Sequence, residues 1–199
     1  MALNLSSFNN LNVIDTCAVW NVLSSTLLFS AANSANCVFS CTRFVAYECL
    51  DKPRKNINTQ DENLQNILRK EQIKKKFQVY DLEIEDLLEV EILEKRKNLG
   101  KGELSSIAFA KRTNQSFLTD DQRARKLAME VMESDRVQTT PHLLGWLFYN
   151  KLLGDTDKDS IISEHQSFNR PLSEYFEKVY QEVLHYNLMK RGLYQNKSN

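Results

Sequence analysis

Five acidic side chains, Asp15, Glu48, Glu103, Asp120 and Asp121, fall where an alternating strand-and-helix chain would turn toward one edge of its sheet. Asp15 ends the apolar stretch Leu11-Asn-Val-Ile, Glu103 opens a helix after Gly100-Lys-Gly, and Asp120-Asp121 follow Ser116-Phe-Leu-Thr. Taken singly, each acid has an ordinary structural reading: Asp15 could cap the next helix, Glu103 could satisfy a helix dipole and Asp120 could begin an Asp-rich turn. Taken jointly they converge, and converging carboxylates repel one another unless a cation sits among them. A donor set of oxygens without a His or Cys cluster favours Mg²⁺ or Mn²⁺ over zinc, and such hard ions characteristically work on phosphates.

The elements that would place these acids follow from periodicity. Leu11 to Ile14 reads as a buried strand, and Ala18 to Ala32 as a helix with Val19, Val22, Leu23, Leu27 and Leu28 on one face. Cys37 to Cys41 reads as a second strand, after which Thr42 can cap a helix that carries Glu48 and stops before Pro53. Asp61 to Lys76 is a polar helix, Phe77 to Ile84 a strand, and Glu85 to Lys97 a charged helix with Leu87, Leu88 and Ile92 turned inward. Helices over Glu103 to Arg112, Arg123 to Met132 and Pro141 to Leu152 then alternate with strands over Ser116 to Thr119 and Val137 to Thr139. Such alternation predicts an α/β fold with a central parallel sheet and right-handed crossovers.

After Gly154 the composition shifts to Asp155-Thr-Asp-Lys-Asp-Ser, and Leu172, Tyr175, Phe176, Val179, Tyr180, Val183 and Leu184 form the stripe of an amphipathic helix. The expected organisation is a catalytic domain over 1–152 and a C-terminal helical extension over 153–199, with a disordered tail from Gln195 to Asn199. The stripe could cover its own domain or dock a partner or a second copy, which keeps a homodimer among the expectations.

With 26 basic and 26 acidic residues, the 199-residue chain exerts no overall electrostatic pull on nucleic acid. Charge is nevertheless segregated, with seven acids and no base between Asp81 and Glu94, and a basic stretch from Lys95 to Lys126 around three acids. The four cysteines, Cys17, Cys37, Cys41 and Cys49, sit in the first quarter of a chain with no basic-plus-apolar signal segment, which predicts reduced thiols in the cytoplasm. Thr16 to Thr42 carries no charged side chain, yet its repeated Asn and Ser residues argue against a membrane span. A Cys-x₃-Cys spacing fits buried structural thiols better than zinc. The three histidines are scattered without a nucleophile, and neither a Walker loop nor a dinucleotide fingerprint is present.

Four segments, Asn12-Val-Ile-Asp-Thr-Cys, Phe44-Val-Ala-Tyr-Glu-Cys, Gly102-Glu-Leu-Ser-Ser-Ile-Ala and Phe117-Leu-Thr-Asp-Asp-Gln-Arg-Ala-Arg, together resemble the PIN-domain ribonucleases, including the toxins of bacterial toxin-antitoxin pairs. The resemblance covers about residues 10 to 152. It implies a three-layer α/β/α fold, a Mg²⁺ or Mn²⁺ site and endonucleolytic cleavage of RNA. Asp15, Glu48 and Glu103 match the first three acids of the family. The fourth is Asp120 or Asp121, with Asp121 favoured by the Thr-x-Asp pattern, so the implied metal ligands are Asp15, Glu103 and Asp121. Thr16 and Thr119 could bond a carboxylate or ligand-shell water, or cap the next helix. Arg43, Lys52, Arg123 and Arg125 are candidates to meet RNA phosphates. An antitoxin peptide covering the acidic groove would be the natural protein partner. The competing classes are a catalytically silent binding or scaffolding module and a structure-selective DNA nuclease.

Overall fold

The computed structural model describes residues 4–53 and 58–195. The chain runs β1 (Leu11–Ile14), α1 (Thr16–Leu23), α2 (Thr26–Ser34), β2 (Val38–Thr42), α3 (Arg43–Leu50), α4 (Thr59–Ile73), β3 (Phe77–Tyr80), α5 (Ile84–Arg96), α6 (Lys101–Arg112), β4 (Ser116–Leu118), α7 (Gln122–Val131), β5 (Val137–Gln138), α8 (Thr140–Tyr149), α9 (Asp157–Ser167) and α10 (Ser173–Gln195). The five strands form one parallel sheet in the order β3-β2-β1-β4-β5. Along each central strand, successive side chains enter opposite layers, as the two-residue period requires. Val13 and Phe117 join a cluster with α5, α6 and α7, whereas Ile14 and Leu118 join the larger cluster with α1, α2 and α8. This is the three-layer α/β/α architecture.

The order reverses at β1: the chain leaves it toward β2, while β4 pairs on its other side. A crevice opens at such a switch point, outside the carboxyl ends of the two strands. Ile14 pairs with Leu118, so Asp15 and Thr119 leave the sheet side by side.

The one helix expected over Ala18 to Ala32 is instead two, α1 and α2. Apolar periodicity runs through both, but two serines break the ladder. The Ser24 hydroxyl donates back to the Trp20 carbonyl, and Ser25 restarts the helix by accepting from the Leu28 N–H at 3.0 Å. Ser25 also donates to Glu164 at 2.5 Å, tying α2 to α9.

On α5 the buried face differs from expectation. Leu87, Leu88 and Ile92 stand about half exposed, and Asp86, Val90 and Leu93 face the core. The Asp86 carboxylate accepts from Arg112 Nε and Nη2 at 2.7 and 2.9 Å and also caps Glu83 N. A fully buried carboxylate must keep its partner, and this bidentate pair sets the helix phase against the leucines.

The acid-rich segment after Gly154 forms α9, which periodicity did not suggest. Its Ile161 and His165 join the core together with Leu172, Phe176, Val179, Tyr180 and Val183 from the chain that follows. On α8, Gly145 lets α10 close in, since a Cβ there would collide with Val179 and Leu5. The tail 196–199 lies outside the described residues. No helix among the described residues is long and apolar enough to cross a membrane.

His165 is fully buried, its ring edge-on to Phe176 at 4.7 Å, and neither ring nitrogen has a hydrogen-bond partner. Burial pulls its pKa down to about 4, and the neighbouring Arg170 charge adds to the shift. The folded chain therefore binds fewer protons than the unfolded chain between roughly pH 4 and 6.5, and stability falls as pH drops through that window. The cumulative loss from this group is on the order of 3 kcal/mol. Thermal melts from pH 8 to 4 should show a shallower decline for His165→Leu than for the wild type. Parallel curves would mean that another group governs the acid limb.

Candidate active site

Asp15 leaves the end of β1 as the N-cap of α1: its Oδ1 accepts from the Ala18 N–H at 2.9 Å, and its Oδ2 accepts from the Thr119 hydroxyl. Thr119 in turn accepts from the Asp121 N–H at 3.1 Å, so one hydroxyl links the ends of β1 and β4. Asp15 is fully buried, and desolvation drives its carboxyl up to about 7 against the opposing hydrogen bonds from Thr119 and Ala18. The charges of Asp120 and Glu103 push in the same upward direction, which places three carboxylates in one electrostatic neighbourhood.

Glu48, on the second turn of α3, reaches the same edge from the β2 side. It accepts from the Thr16 hydroxyl at 2.5 Å and from the Gly102 N–H at 3.3 Å. The second bond places its charge at the N-terminus of α6, where the helix dipole favours an anion. Beneath it, Thr42 caps α3 and bonds to Ser105 at 2.8 Å, which donates to the Gly102 carbonyl at 2.9 Å. This links α3 and α6 from below. Glu103 folds back over the first turn of α6 toward Gly100, and its Oε2 is buried without a hydrogen-bond partner.

The adjacent acids Asp120 and Asp121 take separate positions. Asp120 Oδ1 accepts from the Thr140 N–H at 2.9 Å, and Oδ2 accepts from the Thr140 hydroxyl at 2.5 Å and from Asn21 Nδ2 at 2.8 Å. Its pKa is raised, chiefly by desolvation, and the Arg125 charge works in the other direction. Asp121 is the N-cap of α7, accepting from the Ala124 N–H at 2.7 Å. Asn21 and Thr140 were not singled out in the sequence. The one signal was Asn21 itself, an uncharged polar residue on the otherwise apolar buried face of α1.

The threonines both bond carboxylates: Thr119 holds Asp15 and Thr16 holds Glu48, while the cap of α1 is Asp15. The cations are dispersed. Arg43 is exposed and paired with Asp81 at 3.0 Å, and Arg123 donates to the Asn98 carbonyl at 2.7 Å. Lys52 lines a cleft of about 770 Å³ with Phe44, Tyr47, Glu48 and Lys101. Arg125 lines a second cleft of about 660 Å³, which contains Asp120. All four cysteines are free thiols, three of them buried. Cys17 is exposed as a residue, yet its thiol is recessed beside Asp15 and Asp120. Desolvation first, and then those charges, push it up to about 12.

A family model of the PIN domain matches residues 13–133, well over half of the chain. The chain belongs to the PIN-domain family. PIN domains are generally nucleases, a class of hydrolases, and typically use divalent metal ions. No curated protein matches the chain. The matched span holds all five acids and ends before Thr140, so α8, α9 and α10 lie outside it.

The residues present in this PIN domain suit a hard divalent cation by chemistry. Their donors are carboxylate oxygens, Glu103 Oε2 is buried and unpartnered, and Asp15 carries the repulsion of two like charges. The Asp15 oxygens and Asp120 Oδ1 each accept one hydrogen bond and retain a further lone pair for such an ion. Among the described residues, no three His, Cys, Asp or Glu side chains stand assembled as a finished metal cage.

Proposed function

We propose that this PIN domain is a metal-dependent endoribonuclease acting at the edge where Asp15, Glu48, Glu103 and Asp120 meet. The observation that carries the reading is the coupling of buried Asp15 to both Asp120 and Glu103 at the β1/β4 switch point. Asp15, Glu103 and Asp120 would hold Mg²⁺ or Mn²⁺, which supplies Lewis-acid charge stabilisation for phosphodiester cleavage. Asp120 takes the place that the Thr-x-Asp pattern had offered to Asp121, because its charge acts on buried Asp15. Thr119 fixes the rotamer of Asp15, Thr140 and Asn21 fix that of Asp120, and Thr16 with the Gly102 N–H fixes Glu48. Supported carboxylates of this kind are pre-organised for charge that develops during reaction. The reading includes a cytoplasmic toxin restrained by an antitoxin peptide laid over the acidic edge.

The substrate class is tested by offering the purified protein equal amounts of labelled single-stranded RNA, matched single-stranded DNA and flap DNA with Mn²⁺. Cleavage confined to RNA supports the reading. Cleavage of the flap alone would reassign the enzyme to DNA.

Gly102 offers an independent check on Glu48. A Cβ at Gly102 would collide with Glu48 Oε2. Gly102→Ala should therefore displace that carboxylate while favouring α6, where Ala is the better helix former by roughly 1 kcal/mol. Activity is expected to fall at least tenfold with the melting temperature unchanged or higher. Full activity in a folded Gly102→Ala protein would remove Glu48 from the site.

A further inference from the structure

The cleft beside Asp120 has a wall that comes from outside the matched domain. Its lining joins Cys17, Asn21, Asp120 and Arg125 to residues of α10 and of the turn that leads into it. The placement of α10 follows from its packing. Leu172, Phe176, Val179, Tyr180 and Val183 are buried in the shared core, and Gly145 on α8 permits the close approach. The first turn of α8 is also what holds Asp120, through Thr140. The seat of α10 and the grip on Asp120 are thus one element. Burying that stripe leaves Tyr175, Lys178 and Glu182, spaced by three and four residues, along the cleft.

We infer that α10 is the second wall of the substrate cleft, with Tyr175 stacking a base and Lys178 and Arg125 contacting phosphates of a single RNA strand flanking the scissile bond. The inference rests on the ribonuclease reading above. Tyr175 is 60% exposed on the lining of this cleft, so its ring is open to a base that enters it. Lys178 and Arg125 both line this cleft without an ion-pair partner among the described residues, and the Arg125 charge reaches Asp120 within it. Two cations and an aromatic on the lining of one cleft suit a strand that offers phosphates and unstacked bases. Glu182, one turn beyond Lys178, adds a negative charge to the same wall, so phosphate contact is assigned to the Lys178 and Arg125 end. A cleft of about 660 Å³ has room for a short stretch of single strand.

The test uses the full chain and one fluorescein-labelled single-stranded RNA. Steady-state cleavage with Mn²⁺ gives KM and kcat, and anisotropy in an Asp15→Asn background without divalent metal gives Kd and its salt dependence. Tyr175→Ala is expected to raise KM and Kd roughly tenfold, and Tyr175→Phe to restore them, because the ring and not the hydroxyl does the stacking. Lys178→Ala is expected to reduce the slope of log Kd against log salt by about 0.7, the loss of one phosphate contact on a single strand. A wild type that binds and cleaves RNA, with Tyr175→Ala and Lys178→Ala matching it in KM, Kd and salt slope, overturns the role of α10 and leaves the ribonuclease reading standing. A folded wild type that neither binds nor cleaves RNA overturns both.

Discussion

Replacing Asp15 by Asn is expected to abolish cleavage while making the metal-free protein more stable at pH 8. Asn preserves the shape of the site. Its Oδ1 can keep the bond from the Ala18 N–H, and the Thr119 hydroxyl can reverse to accept from the amide. What the substitution removes is a buried negative charge beside Asp120 and Glu103. Because the folded-state carboxyl is raised from 3.8 to about 7, the folded chain binds its proton more tightly than the unfolded chain does. The stability that this provides is full below about pH 3.8 and is lost as pH rises through 7. The Asn variant has no such loss, so its melting curve at pH 8 in EDTA should lie above that of the wild type. Each kcal/mol recovered is worth about 2–4 °C in a chain of this size. The same charge that costs stability is the one proposed to hold the cation, which is the trade expected where function opposes stability. Calorimetry at pH 5 and pH 8 checks the stability half. A variant that melts below the wild type at pH 8 would show that Asp15 is there to hold the fold together.

The second large effect separates two neighbouring acids. Asp120→Asn is expected to lower kcat by roughly a hundredfold or more, since even the partners that orient a metal ligand cost 10–100-fold when removed. Asp121→Asn should cost little. Asp121 caps α7 through its bond from Ala124 N, and Asn caps a helix about as well as Asp. Circular dichroism on both variants checks folding alongside kinetics. The reverse ranking, with Asp121→Asn inactive and Asp120→Asn active, would restore the assignment that the Thr-x-Asp pattern suggests.

Much of this site is legible in the chain because it is built by local rules. Strand-then-acid at Ile14-Asp15 and Leu118-Thr-Asp places carboxylates at the carboxyl edge of any parallel sheet, and Thr42 announces the helix that carries Glu48. What stays hidden depends on partners distant in sequence. Asp86 overrides Leu87, Leu88 and Ile92 only because Arg112 meets it across the layer, 26 residues away. Asn21 looks like a flaw in an apolar helix until Asp120, 99 residues away, is seen beside it. The break between α1 and α2 is made by Ser24 and Ser25, with neither Gly nor Pro to mark it. The residue that orients Asp120, Thr140, lies beyond the matched domain and has no motif of its own. The α9 segment is too acidic to declare an apolar face, yet it delivers Ile161 and His165 to the core.

The most direct test of the central claim is cleavage of an end-labelled mixed RNA pool by the purified protein with Mn²⁺, with EDTA and with Asp15→Asn in parallel. Cuts that require Mn²⁺ and vanish in the variant are the predicted result. Cuts that persist in EDTA or in Asp15→Asn, or a folded wild type that leaves the pool intact, would contradict it.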